Sequence, residues 1–473
     1  MVTAYWKKRA QQERAWINQN LKNDAKFNQQ LQGYYDRAIA DINKTIDAEY
    51  DKFQDPEAAR KSVSQMDVQQ YQNTAKEIVA KAEQMRKDGK TVTYGDFSDE
   101  VNARLKVYNA TMRINRLENI KSQIGAEMLS ANLDVQSAIS DKLTNDYQAE
   151  IKRQAGIMGE TTESKLWTSK QVAQVVMTQT AGADFSKRIW ANQDALKAEL
   201  DGIISTGIIR GENPRKMAIR IKSQVKDSVT NHKYVTERIA RTESARVQYT
   251  AQIESIKKNG YQYVQWFAEP KACATCHSIA RQDNGYGPGI YKINKVPKIP
   301  DDTHPNCRCS ISETWIDGER NLALSDNEQL ALNQYISSSS YKINDALRRR
   351  TLSKEQKQFV LMLDNALIKM PTYHDNKPLQ RDYFFVNDEQ KKDFISQMDN
   401  AWFEDPAYIS TSKLHYGEGE EQVHVIIESS KTGKDISEFN TNEQEVLFPR
   451  NTKFKVKKIY VNENGILTVV WSE

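Results

Sequence analysis

Glu443 and Glu445 stand two residues apart, directly ahead of the apolar run Val446-Leu447-Phe448. On an extended segment such residues point the same way, so both carboxylates can face one cleft. Upstream lies a hydroxyl-rich strand edge, Ser410-Thr411-Ser412, led in by Ala407-Tyr408-Ile409. Its hydroxyls can hold one carboxylate by a hydrogen bond. Earlier still, Pro378-Leu379-Gln380-Arg381 enters the apolar run Tyr383-Phe384-Phe385-Val386. A fixed carboxylate is suited to stabilising positive charge that builds in a transition state. A second carboxylate can orient or deprotonate a nucleophile.

The other chemistry-bearing group is sulfur. All four cysteines fall within 37 residues, as Cys273-x-x-Cys276 and Cys307-x-Cys309, with His304-Pro305-Asn306 just before the second pair. In a protein made in a cytosol, that density reads as metal ligation rather than disulfides. Tetrahedral zinc takes four thiolate or imidazole ligands, and closing such a loop stabilises a glycine- and proline-rich stretch that cannot build a core alone. The tight Cys-x-Cys spacing leaves room for His304 to substitute for one cysteine. A metal-free thiol cluster or a disulfide in an exposed particle is the alternative. No acidic residue sits in a metal-hydrolase motif, which argues against catalytic zinc.

Proline maps the elements that must position these groups. Only Pro56 and Pro214 occur in the first 269 residues, against nine in the remaining 204. Proline is expelled from helix interiors, so the front of the chain is predicted to be long helices. One is expected over 4–52, with Phe27, Leu31, Tyr34, Tyr35, Ile39, Ile42 and Ile46 as its apolar stripe. Others are expected over 56–87, 98–129, 135–156 and 184–204, with Asp55-Pro56-Glu57 as a start and Gly156 and Gly159 as stops. After Trp315 the character changes. A short connector precedes helices over 329–336, 343–350 and 352–367, broken by Ser337-Ser338-Ser339-Ser340-Tyr341. Strands follow near 380–386, 407–411, 422–427, 445–448, 453–461 and 465–471, the last two joined by the turn Asn462-Glu463-Asn464-Gly465.

The chain is 473 residues long, enough for two or three domains. Its +4 net charge is unevenly spread. Residues 317–473 carry 20 basic and 25 acidic side chains, leaving 47 and 38 for residues 1–316. That basic front half is compatible with DNA proximity or an acidic partner, and equally with a solvated basic surface. No apolar run reaches the roughly 18 residues of a membrane helix, so no membrane partner is expected. The opening Met1-Val2-Thr3-Ala4-Tyr5-Trp6-Lys7-Lys8-Arg9 does not read as a secretory signal, which predicts first use in a cytosol.

Two family resemblances give these parts a meaning. Arg381, then Ser410-Thr411-Ser412, then Glu443-Gln444-Glu445 resembles the Arg-Ser-Glu type of mono-ADP-ribosyltransferase, over about residues 320–473. That likeness implies an enzyme using NAD. Arg381 would bind an NAD phosphate. Ser410 would orient the catalytic Glu445, which holds the nicotinamide ribose, and Thr411 and Ser412 would shape the nicotinamide pocket. Glu443 would engage the acceptor, and a glutamate there implies an arginine target. Phe439 would help to recognise the protein substrate. The family usually has glycine after the arginine, and Asp382 stands there instead. An acidic neighbour would weaken NAD binding or leave the phosphate to another basic residue.

The second resemblance is to the phage Mu F-type head morphogenesis family. It rests on Ile239-Ala240-Arg241-Thr242-Glu243-Ser244-Ala245, Val264-Gln265-Trp266, the Cys273 pair, His304-Pro305-Asn306-Cys307-Arg308-Cys309 and the Tyr5-Trp6-Lys7-Lys8-Arg9 start. It implies a minor capsid protein near the portal, inside the virion. The bland reading of Arg241 and Glu243 is a salt bridge. The whole is therefore expected to be multidomain α+β: a helical region 1–235, a cysteine module 236–316, a linker 317–328 and an α+β transferase-like domain 329–473. The expected function is a phage minor head protein that transfers ADP-ribose from NAD to arginine of a host protein, acting in the virion and then the host cytoplasm. The alternative is a purely structural head protein with an inactive transferase-like domain.

Overall fold

Apolar residues at three- and four-residue spacing make the front of the chain helical, and helix is what forms. The computed structural model describes residues 4–50, 57, 60–88, 94–112, 115–158, 169–179, 183–209, 214–375, 377–398, 401–415 and 421–473. The chain divides into two compact units among these residues, one formed by 4–256 with 265–312 and the other by 257–264 with 313–473.

The first unit carries α1 (Ala4–Tyr50), α2 (Gln65–Lys87), α3 (Tyr94–Met112), α4 (Arg116–Met158), α5 (Ser169–Val176), α6 (Phe185–Ile209) and α7 (Pro214–Lys258). Phe27, Leu31, Tyr35, Ile42 and Ile46 of α1 are buried as predicted, against Ile124 and Tyr147 of α4, Leu196 of α6 and Val225 of α7. Each such side chain contributes roughly 1.5–3 kcal/mol on burial. Tyr34 and Ile39 pack at its margin.

Helix ends differ from expectation where side-chain capping outweighs composition. α2 starts at a Ser64–Asp67 capping box, with Asp67 N–H donating to Ser64 Oγ at 3.1 Å and Ser64 N–H to Asp67 Oδ2 at 3.0 Å. The Asp55-Pro56 start and the Gly159 stop lie outside the described residues. The helices expected over 98–129 and 135–156 are recut: α3 ends at Met112, Asn115 accepts from Glu118 N–H, and α4 runs unbroken to Met158. Residues 130–134 contain neither proline nor glycine, so nothing stops the helix there. Gly125, inside α4, sits in close packing: a Cβ there would lie 2.5 Å from Lys197 Cε, displacing the end of that side chain, and 3.0 Å from the Tyr108 ring.

The cysteine segment is built from β1 (Tyr263–Phe267), α8 (Ala274–Arg281), β2 (Ile290–Lys292) and β3 (Ser310–Glu313), in a sheet ordered β2-β1-β3. The expected boundary at 235 falls inside α7.

The second unit opens with α9 (Asp326–Gln334), a π-type turn from Tyr335, α10 (Ser340–Arg349) and α11 (Lys354–Lys369). The backbone breaks at Ser337, within the serine run expected to break it. Ser325 caps α9, so the expected linker already contains its first turn. Then come β4 (Leu379–Tyr383), α12 (Asp388–Ser396), β5 (Trp402–Glu404), β6 (Ile409–Ser412), β7 (Val423–Ile427), β8 (Lys434–Asp435), β9 (Glu445–Phe448), β10 (Lys453–Val461) and β11 (Leu467–Ser472). The predicted strands are present, with ends shifted. The mostly polar α12 and the short β5 and β8 were not anticipated. These eight strands form one sheet, β5-β10-β11-β7-β4-β6-β9-β8, in which, among the described residues, only β11 and β7 pair in parallel.

Alternation along these strands sorts their side chains between two cores. Ile409, Val425, Val446, Phe448 and Trp471 enter one, and Leu447 and Tyr408 enter the other, beneath α9–α11. Together the two units give a helical region followed by an α+β domain. No helix among the described residues is long and apolar enough to cross a membrane.

Candidate active site

β6 and β9 pair antiparallel, with Ser410 opposite Leu447 and Ser412 opposite Glu445. This register brings the Ser410 hydroxyl to Glu445, where it donates to Oε1 at 2.6 Å. Glu445 is 3% exposed. Its second oxygen accepts from Asn440 Nδ2 at 2.9 Å. Burial pushes the Glu445 carboxyl above its ordinary value. The Ser410 and Asn440 hydrogen bonds offset that only in part, and neighbouring Glu443 adds to it.

Glu443 does not share an extended strand with Glu445. β9 begins at Glu445, and Gln444 is held at φ 44°, a left-handed conformation unfavourable for a side chain and typical of strain retained at functional sites. What gathers the two carboxylates is Asn440, whose amide donates to Glu443 Oε2 at 3.0 Å as well as to Glu445. Asn440 was missed as a site residue. Its signal was one of two turn asparagines, with Asn442, close before an acidic pair, which many turns show. Glu443 itself is exposed.

Arg381, on β4, lies beside them. Its Nη1 donates to the Ser410 carbonyl at 2.5 Å, its guanidinium stacks 4.6 Å from the centroid of the Tyr383 ring, and its buried Nε has no hydrogen-bond partner among the described residues. Asp382 is turned to the opposite face of the strand, where it meets its cross-strand neighbour His424 at 2.6 Å. The acidic neighbour therefore does not pair with Arg381. Arg348, another nearby guanidinium, is engaged by Asp405 at 2.8 Å.

Thr411 and Ser412 brace the backbone. The Thr411 hydroxyl donates to the Val446 carbonyl at 2.7 Å. Ser412 Oγ donates to the Glu443 carbonyl and accepts from Leu414 N–H, each at 2.8 Å. Phe439 is half-buried against the core beneath α9–α11, with the Arg320 guanidinium 5.7 Å from its ring. Tyr335 is buried nearby and is pushed up to about 12 by that burial, within the field of Arg381 and Glu445. Sequence reading gave no sign of it.

The cysteine segment gathers its donors around Cys276. Cys276 Sγ lies 3.3 Å from His304 Nε2 and 3.7 Å from Cys307 Sγ. Cys273, Cys276 and His304 form one triad and Cys276, Cys307 and Cys309 another, each with donors within 4.8 Å of one another. All four thiols are free. His304 Nδ1 meets the Pro305 carbonyl at 2.8 Å, which aims Nε2 at the sulfurs. Hydrogen bonds from Cys276 and Cys309 hold the Cys307 thiol below its ordinary value, while the Cys307 hydrogen bond pushes Cys276 up. Between the two cysteines, Arg308 is buried and bound to Asp24, Gln248 and Ser244. Arg241 and Glu243 are both in salt bridges, Arg241 to Glu269 at 2.7 Å and Glu243 to Arg188 at 2.7 Å and Arg246 at 2.6 Å.

Residues 313–470 match the family described as ADP-ribosyltransferase exoenzyme. The C-terminal unit is thus an ADP-ribosyltransferase domain of the exoenzyme type. Solved structures similar to it include an ADP-ribosyltransferase of Clostridium botulinum, at 22% identity, TM-score 0.28, covering 32% of this chain and 87% of that one. Exoenzyme S of Pseudomonas aeruginosa, solved with human 14-3-3 protein beta and Carba-NAD, is also 22% identical, with TM-score 0.27 and coverage of 32% and 74%. The exoenzyme of Clostridium limosum is 19% identical, with TM-score 0.27 and coverage of 32% and 85%. A comparison with curated proteins returned no match.

Proposed function

We propose that the C-terminal domain transfers ADP-ribose from NAD to an arginine of a host protein, and that the front of the chain is a phage minor head section that carries it. The observation that supports the enzyme most is Glu445: a buried carboxylate hydrogen-bonded by two neutral donors, with the Arg381 guanidinium close enough to favour its charge but, among the described residues, no salt bridge to it. In the proposed reaction the bond between nicotinamide and ribose breaks, and nicotinamide leaves with the electron pair. The ribose becomes cationic, and Glu445 stabilises that charge. Arg381 holds an NAD phosphate through its guanidinium. Ser410 orients Glu445, while Thr411 and Ser412 keep the strand pair in register. Glu443 orients the acceptor guanidinium and takes its proton as the new C–N bond forms. Phe439, on the turn before Asn440, contributes to the surface that meets the protein substrate.

For the head section, the cysteine cluster fits structural zinc. Cys276, Cys307 and Cys309 would be ligands, with Cys273 or His304 as the fourth, and the ion would close the loop. Portal and capsid proteins are the proposed partners, and the virion is the proposed location. The deciding experiment is transfer of labelled ADP-ribose from NAD to proteins of a bacterial lysate, comparing the chain with Glu445→Ala. Label that depends on Glu445 and is lost on chemical removal of arginine-linked ADP-ribose supports the reading. If neither protein transfers label or cleaves NAD, the structural alternative replaces it.

A further inference from the structure

On the face of β4 opposite Arg381, four side chains converge that the transferase chemistry does not use. Asp382 Oδ1 lies 2.6 Å from Nδ1 of its cross-strand partner His424. His415, just past the end of β6, brings Nε2 to 3.9 Å from the same carboxylate oxygen and to 3.6 Å from Glu421 Oε1. The two imidazoles stand edge to face with centroids 4.5 Å apart. One ligand atom from each of the four lies within 4.8 Å of all the others. A tetrahedral zinc with bonds of about 2.0–2.2 Å spaces its ligands about 3.3–3.6 Å apart, so small side-chain movements suffice to receive it.

The donor types point the same way. Imidazole nitrogen favours a transition cation over magnesium or calcium, and two imidazoles with two carboxylates make a four-ligand set. In metal-binding form the imidazoles are neutral and the carboxylates together carry two negative charges. Glu421 and His424 are 6% and 7% exposed, so charge gathered there is poorly solvated. A divalent cation neutralises it.

We propose that Asp382, His415, Glu421 and His424 form a zinc site of the transferase domain. Zinc held there ties β4, which carries Arg381, to β7 and to the chain leaving β6, which carries Ser410. The clamp would fix the spacing of Arg381 and Ser410 without touching substrate.

The test uses the full chain, reduced, stripped of metal with a chelator, then loaded with zinc and desalted. Elemental analysis compares it with His415→Ala/His424→Gln. The expected result is a loss of about one equivalent of zinc per chain in the double variant. Cobalt titration tells this site from the cysteines: its visible absorption comes without thiolate charge transfer, and only that component disappears. Equal zinc content in the two proteins, or no thiolate-free cobalt component in the wild-type chain, overturns the proposal. Should the double variant misfold, His415→Ala alone alters a ring that is 41% exposed. Its affinity for zinc at this site is expected to fall at least about 100-fold, and an unchanged affinity in that folded variant overturns the proposal as well.

Discussion

Glu13 and Glu445 are both buried glutamates, 0% and 3% exposed, yet their surroundings drive them in opposite directions. Glu13, in the helical unit, meets Arg9 at 2.9 Å, Arg153 at 2.9 and 3.1 Å and the Ser310 hydroxyl at 2.6 Å. Burial pushes its carboxyl up, but two guanidiniums and these hydrogen bonds outweigh burial, and the group is held below its ordinary value. Glu445 is hydrogen-bonded by a hydroxyl and an amide and feels Arg381 only through space, and burial together with neighbouring Glu443 outweighs all three and holds it above. A carboxylate saturated by cations is a strut. One stabilised by neutral donors keeps its charge available for a cation that arrives with a ligand, which is the arrangement a charge-stabilising catalyst needs.

The largest effect expected from this contrast is on stability. Glu13→Gln leaves Arg153 buried with one counter-charge removed, which should cost about 3–5 kcal/mol in denaturant unfolding of the helical unit. Because the folded-state value of Glu13 lies below its unfolded value of 4.5, its contribution is fully present above that pH. It should be lost as pH falls through the lower folded value. A Glu13→Gln chain as stable as wild type at neutral pH would remove the distinction drawn here.

Glu445→Gln should do the reverse. Transfer of ADP-ribose is expected to fall about 100- to 1000-fold, the usual loss when one charge-stabilising group is removed. Stability should not fall with it. The folded-state value of Glu445 is raised, so its favourable contribution is present below the unfolded value of 4.5 and is lost as pH rises through the folded value. At neutral pH the ionised group therefore costs stability, and the amide should raise the melting temperature. That gain should vanish in acid. The same shift places the acid limb of kcat/KM above pH 4.5, since the ionised form is needed.

How far such differences can be read from sequence depends on whether they are local. The stripe from Phe27 to Ile46, the strands around Ser410, Val423 and Glu445, and the Asn462 turn of the β10–β11 hairpin follow period and turn chemistry, and were legible. So was the resemblance carried by Arg381, Ser410 and Glu445. The capping box at Ser64, the passage of α4 through residues 130–134 and the polar α12 were misread or missed. There, side-chain capping and tertiary packing outweigh composition. Asn440 bridging two carboxylates, Asp382 turned away to His424 and Glu13 between two guanidiniums all depend on contacts that no short window contains. Charge type was visible in the sequence, but charge compensation was not.

The smallest expected effect is the one that separates the two carboxylates most finely. Asn440→Ala removes one of the two hydrogen bonds on Glu445 and the only amide that joins it to Glu443 among the described contacts. At about 1 kcal/mol for such a bond, kcat/KM should fall roughly five- to tenfold. A residue that merely shaped the turn could produce that loss too, so the pH profile decides. Losing a donor that favours the ionised form should move the acid limb upward, and Asn440→Asp, which adds a third negative charge, should move it further. If both variants lower the rate and leave the limb where it was, Asn440 positions the turn alone, and the state of Glu445 is set by burial and Ser410.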